Sequence, residues 1–178
     1  MKAFEELKEN LLTCAKNAGA CQKGYKMGLY AQSKADLLKA ITANWFWVIH
    51  NSKIIDARYL EENFTEEELT EAGIYTRKRH EVKTVAFACG SATVEACGSA
   101  TVEACDSATV KAYDSATVKA CGSATVEVYD SATVEAYDNS YVEDCMGNIR
   151  PRSDYAIVKD YYNHKIYIKK GKFEIIEV

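Results

Sequence analysis

The chain has 178 residues, of which 48% are hydrophobic and 27% charged, a composition typical of one or two folded domains that excludes an intrinsically disordered protein. Its formal net charge of -4 leaves no basic footprint, so we expect no direct binding to nucleic acid. There is no apolar run of about 18 residues and no basic, then apolar, start, so we expect neither a membrane-spanning helix nor a secretory signal.

Residues 1–80 are predicted to form a small helical module. Apolar residues recur at helical spacing over residues 4–15, and Gly19 can end that helix. A second helix is predicted over residues 33–48, capped by the serine at its first position. Residues 24–32, between the two, contain two glycines and show no clear period.

The clearest local signal in this module is a capping box. Thr65 and Glu68 have the spacing at which each side chain accepts a hydrogen bond from the other residue's backbone, and Gly73 lies past the helix end. Asp56 is a second candidate cap, for a short helix that precedes the box.

Two features of the module occur only once in the chain and supply the candidate binding residues. Two tryptophans flank a phenylalanine, and side chains so close in sequence cannot both face a helix core, so we expect one at the surface. A crowded junction with the next domain is the other explanation for this cluster. A short basic run ends the module. Because tryptophan and arginine are common interface anchors, the predicted binding residues are Trp45, Trp47, Arg77, Lys78 and Arg79.

Residues 90–145 repeat one eight-residue unit seven times without an insertion. Along the first copy, GSATVEAC, the side chains of Ala92, Val94 and Ala96 share one face of a strand, and this apolar face is the buried one. Gly or Asp followed by Ser supplies a turn at each corner. Because an octad cannot fold alone, the copies are predicted to stack into a β-solenoid.

Charge at the sixth repeat position indicates how many octads make one coil. With sixteen residues per coil, Glu95 stacks on Lys111 and Glu103 on Lys119, and opposite charges stacked in a sheet are favourable. A coil of twenty-four residues pairs the charges almost as well. Two alanines and a valine per side could line a thin two-sheet body but would leave a triangular interior underfilled. We therefore predict the flattened, sixteen-residue coil.

The repeat decays after residue 145 and recovers in the same frame at residues 154–161. Beyond it, residues 165–168 and 173–176 have the composition of two strands. Terminal repeats must shield an open sheet edge. We therefore predict that this hairpin caps the solenoid.

The predicted fold class is α+β. A small N-terminal helical module occupies residues 1–80, and a flattened two-sheet β-solenoid occupies residues 81–161, with sixteen residues per coil or, as the alternative, twenty-four. Residues 162–178 are predicted as C-terminal capping strands.

Five of the seven cysteines occupy the eighth repeat position, which elsewhere holds tyrosine. A position that accepts Cys or Tyr indicates packing more than a disulfide framework, so we expect reduced thiols and a cytoplasmic protein. In the sixteen-residue coil, Cys89, Cys105 and Cys121 stack on one face, where they could oxidise or hold a soft metal. The three histidines have no zinc-ligand spacing. We therefore predict no metal and no cofactor.

Residues 90–145 contain ten carboxylates and two lysines, a net charge of -8. The simplest interpretation of these acidic rows is that they keep long exposed strands soluble. The functional interpretation is an acidic surface that imitates nucleic acid or docks on a basic partner. A repeat of Ser, Ala, Thr, Val and Glu places no general base beside its hydroxyls. The sequence therefore predicts a protein that is not an enzyme.

The repeat Gly/Asp-Ser-Ala-Thr-Val-Glu/Lys-Ala-Tyr/Cys resembles the octapeptide repeats of β-solenoid proteins encoded by bacteria and their phages, and the resemblance covers residues 82–161. Similar small phage proteins often bind and block a host protein. The resemblance implies a non-enzymatic protein-binding module, encoded by a phage or mobile element, whose partner is a host or phage protein. The alternative is a nucleic-acid mimic that acts through the acidic solenoid, and self-association stays open.

Overall fold

The computed structural model describes residues 2–176, apart from the side chain of Asn51. The chain divides into two compact units between Thr76 and Arg77. In the part of the chain that the structure describes, no helix combines the length and the apolar character that crossing a membrane requires.

The first unit is helical and ends in a two-residue strand. Its elements are α1 (Phe4–Asn17), α2 (Gln22–Leu29), α3 (Lys34–Thr42), a π-helix (Phe46–Asn51), α4 (Ala57–Asn63), α5 (Glu66–Glu71) and β1 (Ile74–Tyr75). The predicted caps are confirmed: Ser33 accepts a hydrogen bond from a backbone N–H in the first turn of α3, and Asp56 does the same for α4. At α5 the Thr65 backbone N–H donates to Glu68 at 2.8 Å, and the Thr65 hydroxyl accepts from Glu68 at 3.1 Å.

Two predictions for this unit are corrected. Helix α2 forms over residues whose sequence shows no helical period of apolar side chains. The period is absent because two positions are glycines that allow close packing: a Cβ on Gly24 would lie 3.2 Å from the Asn44 side chain, and one on Gly28 would lie 3.3 Å from Leu12. The single helix predicted over residues 33–48 is instead interrupted after α3. Here the Asn44 amide donates to the Ala40 carbonyl at 2.8 Å, the kind of local bond that competes with regular helix hydrogen bonds.

The second unit contains two sheets of parallel strands, and the first of them ends in one antiparallel strand. The first sheet has the order β2 (Arg79–Val82), β4 (Thr93–Ala96), β6 (Thr109–Ala112), β8 (Thr125–Val128), β10 (Tyr141–Asp144), β11 (Ile157–Asp160) and β12 (Lys165–Tyr167). The second carries β3 (Val85–Ala88), β5 (Thr101–Ala104), β7 (Thr117–Ala120) and β9 (Thr133–Ala136) in this order.

The register of these strands confirms the sixteen-residue coil. Val94 pairs with Val110 and not with Val118, which the twenty-four-residue coil would require. The inward-facing valines form two columns, one in each sheet: Val94, Val110, Val126, Val142 and Val158, and Val102, Val118 and Val134. The inner alanines beside them are almost all fully buried. The interior is therefore thin and close-packed.

Each corner of the coil places its first repeat residue in the left-handed region of backbone conformation. Gly98 has a φ of 65°, and Asp114 and Asp130 adopt φ values of 55° and 53°. Aspartate tolerates this conformation better than most residues and here gains a bond. The Asp130 carboxylate accepts a hydrogen bond from the Asp114 backbone N–H at 3.1 Å, one coil earlier, and Asp114 accepts from Gly98 at 2.8 Å.

The solenoid begins at Arg79, slightly before the predicted start. Strand β2 pairs with β4 so that Arg79 lies opposite Thr93, at a spacing of fourteen residues, whereas the later coils repeat at sixteen. The entry coil is two residues shorter because its connection does not follow the octad pattern.

The regular array ends at a buried carboxylate. Asp144 occupies an inner position that holds alanine in most octads, and its two oxygens accept hydrogen bonds from the backbone N–H groups of Met146, Gly147 and Ile149. These bonds turn the chain out of the ladder. Residues 146–153 form no named strand. They meet the second sheet through a bridge from Pro151 to Ala136 and an ion pair between Arg152 and Glu135.

The predicted C-terminal hairpin has different partners from those expected. Strand β12 pairs antiparallel with β11, with Ile166 opposite Lys159. Residues 173–176 form no strand. Strand β11, in the last octad, pairs with β10 on one side and offers its other edge to β12. The hairpin that ends the first sheet therefore consists of β11 and β12.

The close-packed interior predicts the effect of added volume. Ala116→Leu, at a fully buried position, should lower the free energy of unfolding by about 1 to 3 kcal/mol, the usual cost of overpacking. Thr117→Leu, at the next and exposed position, is the matched control and should change it by less than about 0.5 kcal/mol. Urea unfolding followed by circular dichroism measures both. Equal stability of Ala116→Leu and the parent would show that the interior has spare room.

The corner aspartates predict a second effect. Asp130→Ala removes the acceptor for the Asp114 N–H and leaves an alanine in the left-handed region, so it should cost about 1 to 3 kcal/mol. Asp130→Asn keeps both an acceptor and a residue that tolerates this conformation, and it should lie within about 0.5 kcal/mol of the parent. Asp130→Gly should fall between them. Equal losses for the alanine and asparagine variants in urea unfolding would contradict this account of the corners.

Candidate functional site

The two predicted tryptophans differ in exposure. Trp45 is buried, with 1% of its surface exposed, and therefore offers no exposed ring to a partner. Trp47, at the second position of the π-helix, is partly exposed and lines a cavity within the helical unit. Of the two aromatic candidates, Trp47 is the accessible one.

The basic run belongs to the second unit, at the start of its first coil. Arg77, Lys78 and Arg79 are all exposed. Lys78 adopts a left-handed φ of 65°, and its carbonyl accepts a hydrogen bond from Thr93 at 2.8 Å. Arg79 forms an ion pair with Glu95. The run thus contributes to the entry of the solenoid in addition to presenting positive charge.

One cavity of the helical unit has a volume of about 270 Å³ and is partly open to solvent. Its walls come from α1, α2, α3 and the π-helix, with Leu12, Ile41 and Val48 among the apolar side chains. Apart from Trp47 with its indole nitrogen, the lining residues whose side chains carry a heteroatom are Cys21, Tyr25 and Asn44. We name this feature the helical-unit cavity.

The acidic rows of the solenoid are largely engaged in contacts within the chain. Lys111 forms an ion pair with Glu127 at 2.8 Å, and Tyr129 donates to the same carboxylate at 2.9 Å. Glu143 accepts hydrogen bonds from the hydroxyls of Tyr141 and Tyr161 at 3.0 Å. These contacts reduce the free negative charge that the rows present to a partner.

These contacts and local burial shift the pKa values of the row residues. The hydrogen bond from Lys111 is the main cause that lowers the pKa of Glu127, and the hydrogen bond to Glu127 raises the pKa of Tyr129 to about 12. Glu103 behaves differently, since burial raises its pKa and one of its carboxylate oxygens is buried without a hydrogen-bond partner. Glu103 stacks on Phe87, which occupies the sixth repeat position one coil earlier and brings no charge.

Residues at the eighth repeat position stack on one another one coil apart. The rings of Tyr113 and Tyr129 are stacked, with centroids 5.0 Å apart and planes at 8°. The sulfurs of Cys105 and Cys121 are brought together in the same way. The expectation of reduced thiols stays a prediction. The predicted cytoplasmic location depended on reduced thiols and stays a prediction.

The exposed large apolar side chains are concentrated near the C-terminal end of the solenoid. Of the eleven among the described residues, eight lie between residues 146 and 176. We name these eight the C-terminal apolar set: Met146, Tyr155, Tyr161, Tyr162, Ile166, Phe173, Ile175 and Ile176. Tyr162 and Ile166, on the β11–β12 hairpin, are 70% and 65% exposed. Concentrated exposed apolar groups mark interaction surfaces more often than chance.

Basic side chains accompany this set. Lys159 lies over the ring of Tyr161, with its Nζ 4.4 Å from the centroid, and Arg150 lies over the ring of Tyr167 at 3.8 Å. Lys169 and Lys172 both form ion pairs with Asp154. The end of the chain is therefore apolar and cationic, in contrast to the acidic octads.

Comparisons with protein-family models, with curated proteins and with solved structures found no match. The site is therefore interpreted from its own geometry. Sequence reasoning named Trp47 but missed the cavity that it lines, and the unexplained Gly24 and Gly28 were the available signal. For the C-terminal hairpin it predicted a cap that is also a feature occurring once in the chain, but it named no binding residue there, although the apolar and basic composition was visible.

The Lys111–Glu127 pair predicts a pH dependence. Because the folded pKa of Glu127 is lowered, the pair contributes stability above the unfolded pKa, and this stability is lost as the pH falls through the folded pKa. Between about pH 7 and pH 3, a range that spans the ordinary glutamate pKa of about 4.3, the parent should lose more unfolding free energy than Glu127→Gln. Lys111→Gln should reduce the loss similarly. Parallel urea-unfolding profiles for all three proteins would contradict the assignment.

Proposed function

We propose that the protein is a non-enzymatic protein-binding module that engages its partner through the C-terminal apolar set. The observation that carries the proposal is the concentration of exposed apolar side chains in residues 146–176. A side chain such as Tyr162 or Ile166 gains free energy when a partner removes it from water.

The regular faces of the solenoid are less suited to a unique complex. Successive coils present nearly the same Ser, Thr and Glu or Lys rows, so a partner could bind one coil further along with similar contacts. The hairpin of β11 and β12 occurs once. A complex that uses it has a single register.

Charge indicates the chemistry of the partner. Lys165 and Lys170 accompany the apolar set, and residues 146–178 carry a net charge of +3. Complementary charge favours encounter and register. The partner is therefore a protein with an apolar groove and an acidic rim.

The resemblance of the octads to repeats encoded by bacteria and their phages supports the finer part of the proposal. In it, a phage or mobile element encodes the chain, which acts in the cytoplasm and blocks a host protein. The rival function is a nucleic-acid mimic that acts through the acidic rows. The rows' contacts with Arg79, Lys111 and several tyrosine hydroxyls weigh against it, because bonded carboxylates are less available to a basic partner.

The test is affinity capture from bacterial lysate with three forms of the chain. Tyr162→Ser removes a ring that is 70% exposed in the apolar set, and Tyr30→Ser removes a ring that is 71% exposed in the helical unit. The proposal predicts that Tyr162→Ser weakens binding of the captured protein by at least about tenfold, in the range of interface anchors. Tyr30→Ser should bind like the parent.

Salt distinguishes the two functions. Binding through apolar side chains should persist when salt is raised, whereas binding to the acidic rows should weaken steeply. A partner that binds Tyr162→Ser and Tyr30→Ser equally, and dissociates at high salt, would favour the nucleic-acid mimic. Equal binding at all salt concentrations would place the contact outside the apolar set and overturn the proposal.

A further inference from the structure

The helical-unit cavity is a candidate site that the proposed protein-binding function does not use. Its volume of about 270 Å³ compares with roughly 150 Å³ for an engineered apolar cavity that holds benzene. A molecule of one or two rings fits this space, whereas a helix of a partner protein, about 10 Å wide with its side chains, does not.

Small residues line the cavity on three sides. Ala15 of α1, Gly24 and Gly28 of α2, and Ala40 of α3 all belong to its lining. Larger aliphatic residues at Ala15 and Ala40 would fill part of the space. Gly24 and Gly28 let α2 pack closely on Asn44 and Leu12, which also belong to the lining.

The lining determines the charge of the occupant. None of the fifteen lining residues is Asp, Glu, Lys, Arg or His. Burial of a charged group without a partner is strongly unfavourable. The occupant is therefore neutral.

The lining also offers a few groups that can orient an occupant. The amide nitrogen of Asn44 already donates to the Ala40 carbonyl at 2.8 Å, which leaves the Asn44 side-chain oxygen as an acceptor. Tyr25 and Trp47 are the two aromatic residues of the lining. Aromatic rings pack well against flat ligands, and a mostly apolar pocket with a few polar groups is the usual form of a small-molecule site.

We propose that the helical-unit cavity binds a small neutral aromatic molecule of one or two rings that carries a single hydrogen-bond donor. The donor faces Asn44, and the rings lie among the apolar side chains. This site is separate from the C-terminal apolar set, and its occupation does not depend on the proposed protein partner.

Indole is a suitable probe because it has two rings and one N–H donor. Isothermal titration calorimetry of the full chain with indole should give saturable binding. Ala40→Leu narrows the cavity and should weaken binding at least about tenfold, a factor within the usual cost of overpacking. Ala35→Leu places the same side chain on the exposed face of α3, outside the lining, and should bind like the parent.

A second narrowed variant and a charged ligand complete the experiment. Ala15→Leu narrows the cavity from α1, so it replaces Ala40→Leu if that variant loses its circular dichroism spectrum. Indole-3-carboxylate has the same rings with a negative charge and should bind at least about tenfold more weakly than indole, because the lining has no counter-charge.

Three results would overturn the proposal. The first is the absence of saturable indole binding by the parent. The second is equal binding by the narrowed variants and Ala35→Leu, which would place indole elsewhere. The third is loss of the captured protein partner, rather than of indole, in Ala40→Leu, which would show that the cavity receives a side chain of that partner.

Discussion

The structure of the second unit depends on the close approach of two sheets whose inner faces carry only small side chains. Alanine and valine leave room for nothing else, so each coil must be flat, and flatness in turn sets its length at two strands and two corners. Backbone hydrogen bonds then join each coil to the next. The outward-facing sixth position is largely free of this constraint, which explains why Glu and Lys can both occur there while the inner positions hardly change.

The position of the polar residues follows from the same constraint. Asp144 and Asp160 are buried inner residues at the end of the array, and each satisfies its carboxylate with donors from the segment that follows it. Burial raises and the hydrogen bonds from Asn163 lower the pKa of Asp160, and the lowering prevails. A carboxylate inside a thin apolar body is thus compatible with folding only where the ladder stops and backbone N–H groups are available.

The sequence was most informative where one local rule acts alone. Alternation along an octad, charge pairing at sixteen residues and the Thr65–Glu68 box each depend on neighbours at fixed spacing, and the structure has all three. It was less informative where tertiary packing decides. The glycines of α2 hide its period because their role is to admit Asn44 and Leu12. The cavity likewise depends on side chains from four segments, and no spacing along the chain records how closely these segments approach.

The corner aspartates and glycines have a consequence for how such an array can change in length. The first residue of every octad from Gly90 to Asp138 has a left-handed φ, so a whole coil of this array can be duplicated or deleted with the corners of its neighbours unchanged. Gain or loss of a single octad is different, because every later octad would move to the opposite sheet and the β11–β12 hairpin would meet the wrong edge. Recombination within the repeats should therefore leave folded descendants mainly in steps of two octads. The length of the array then changes by whole coils.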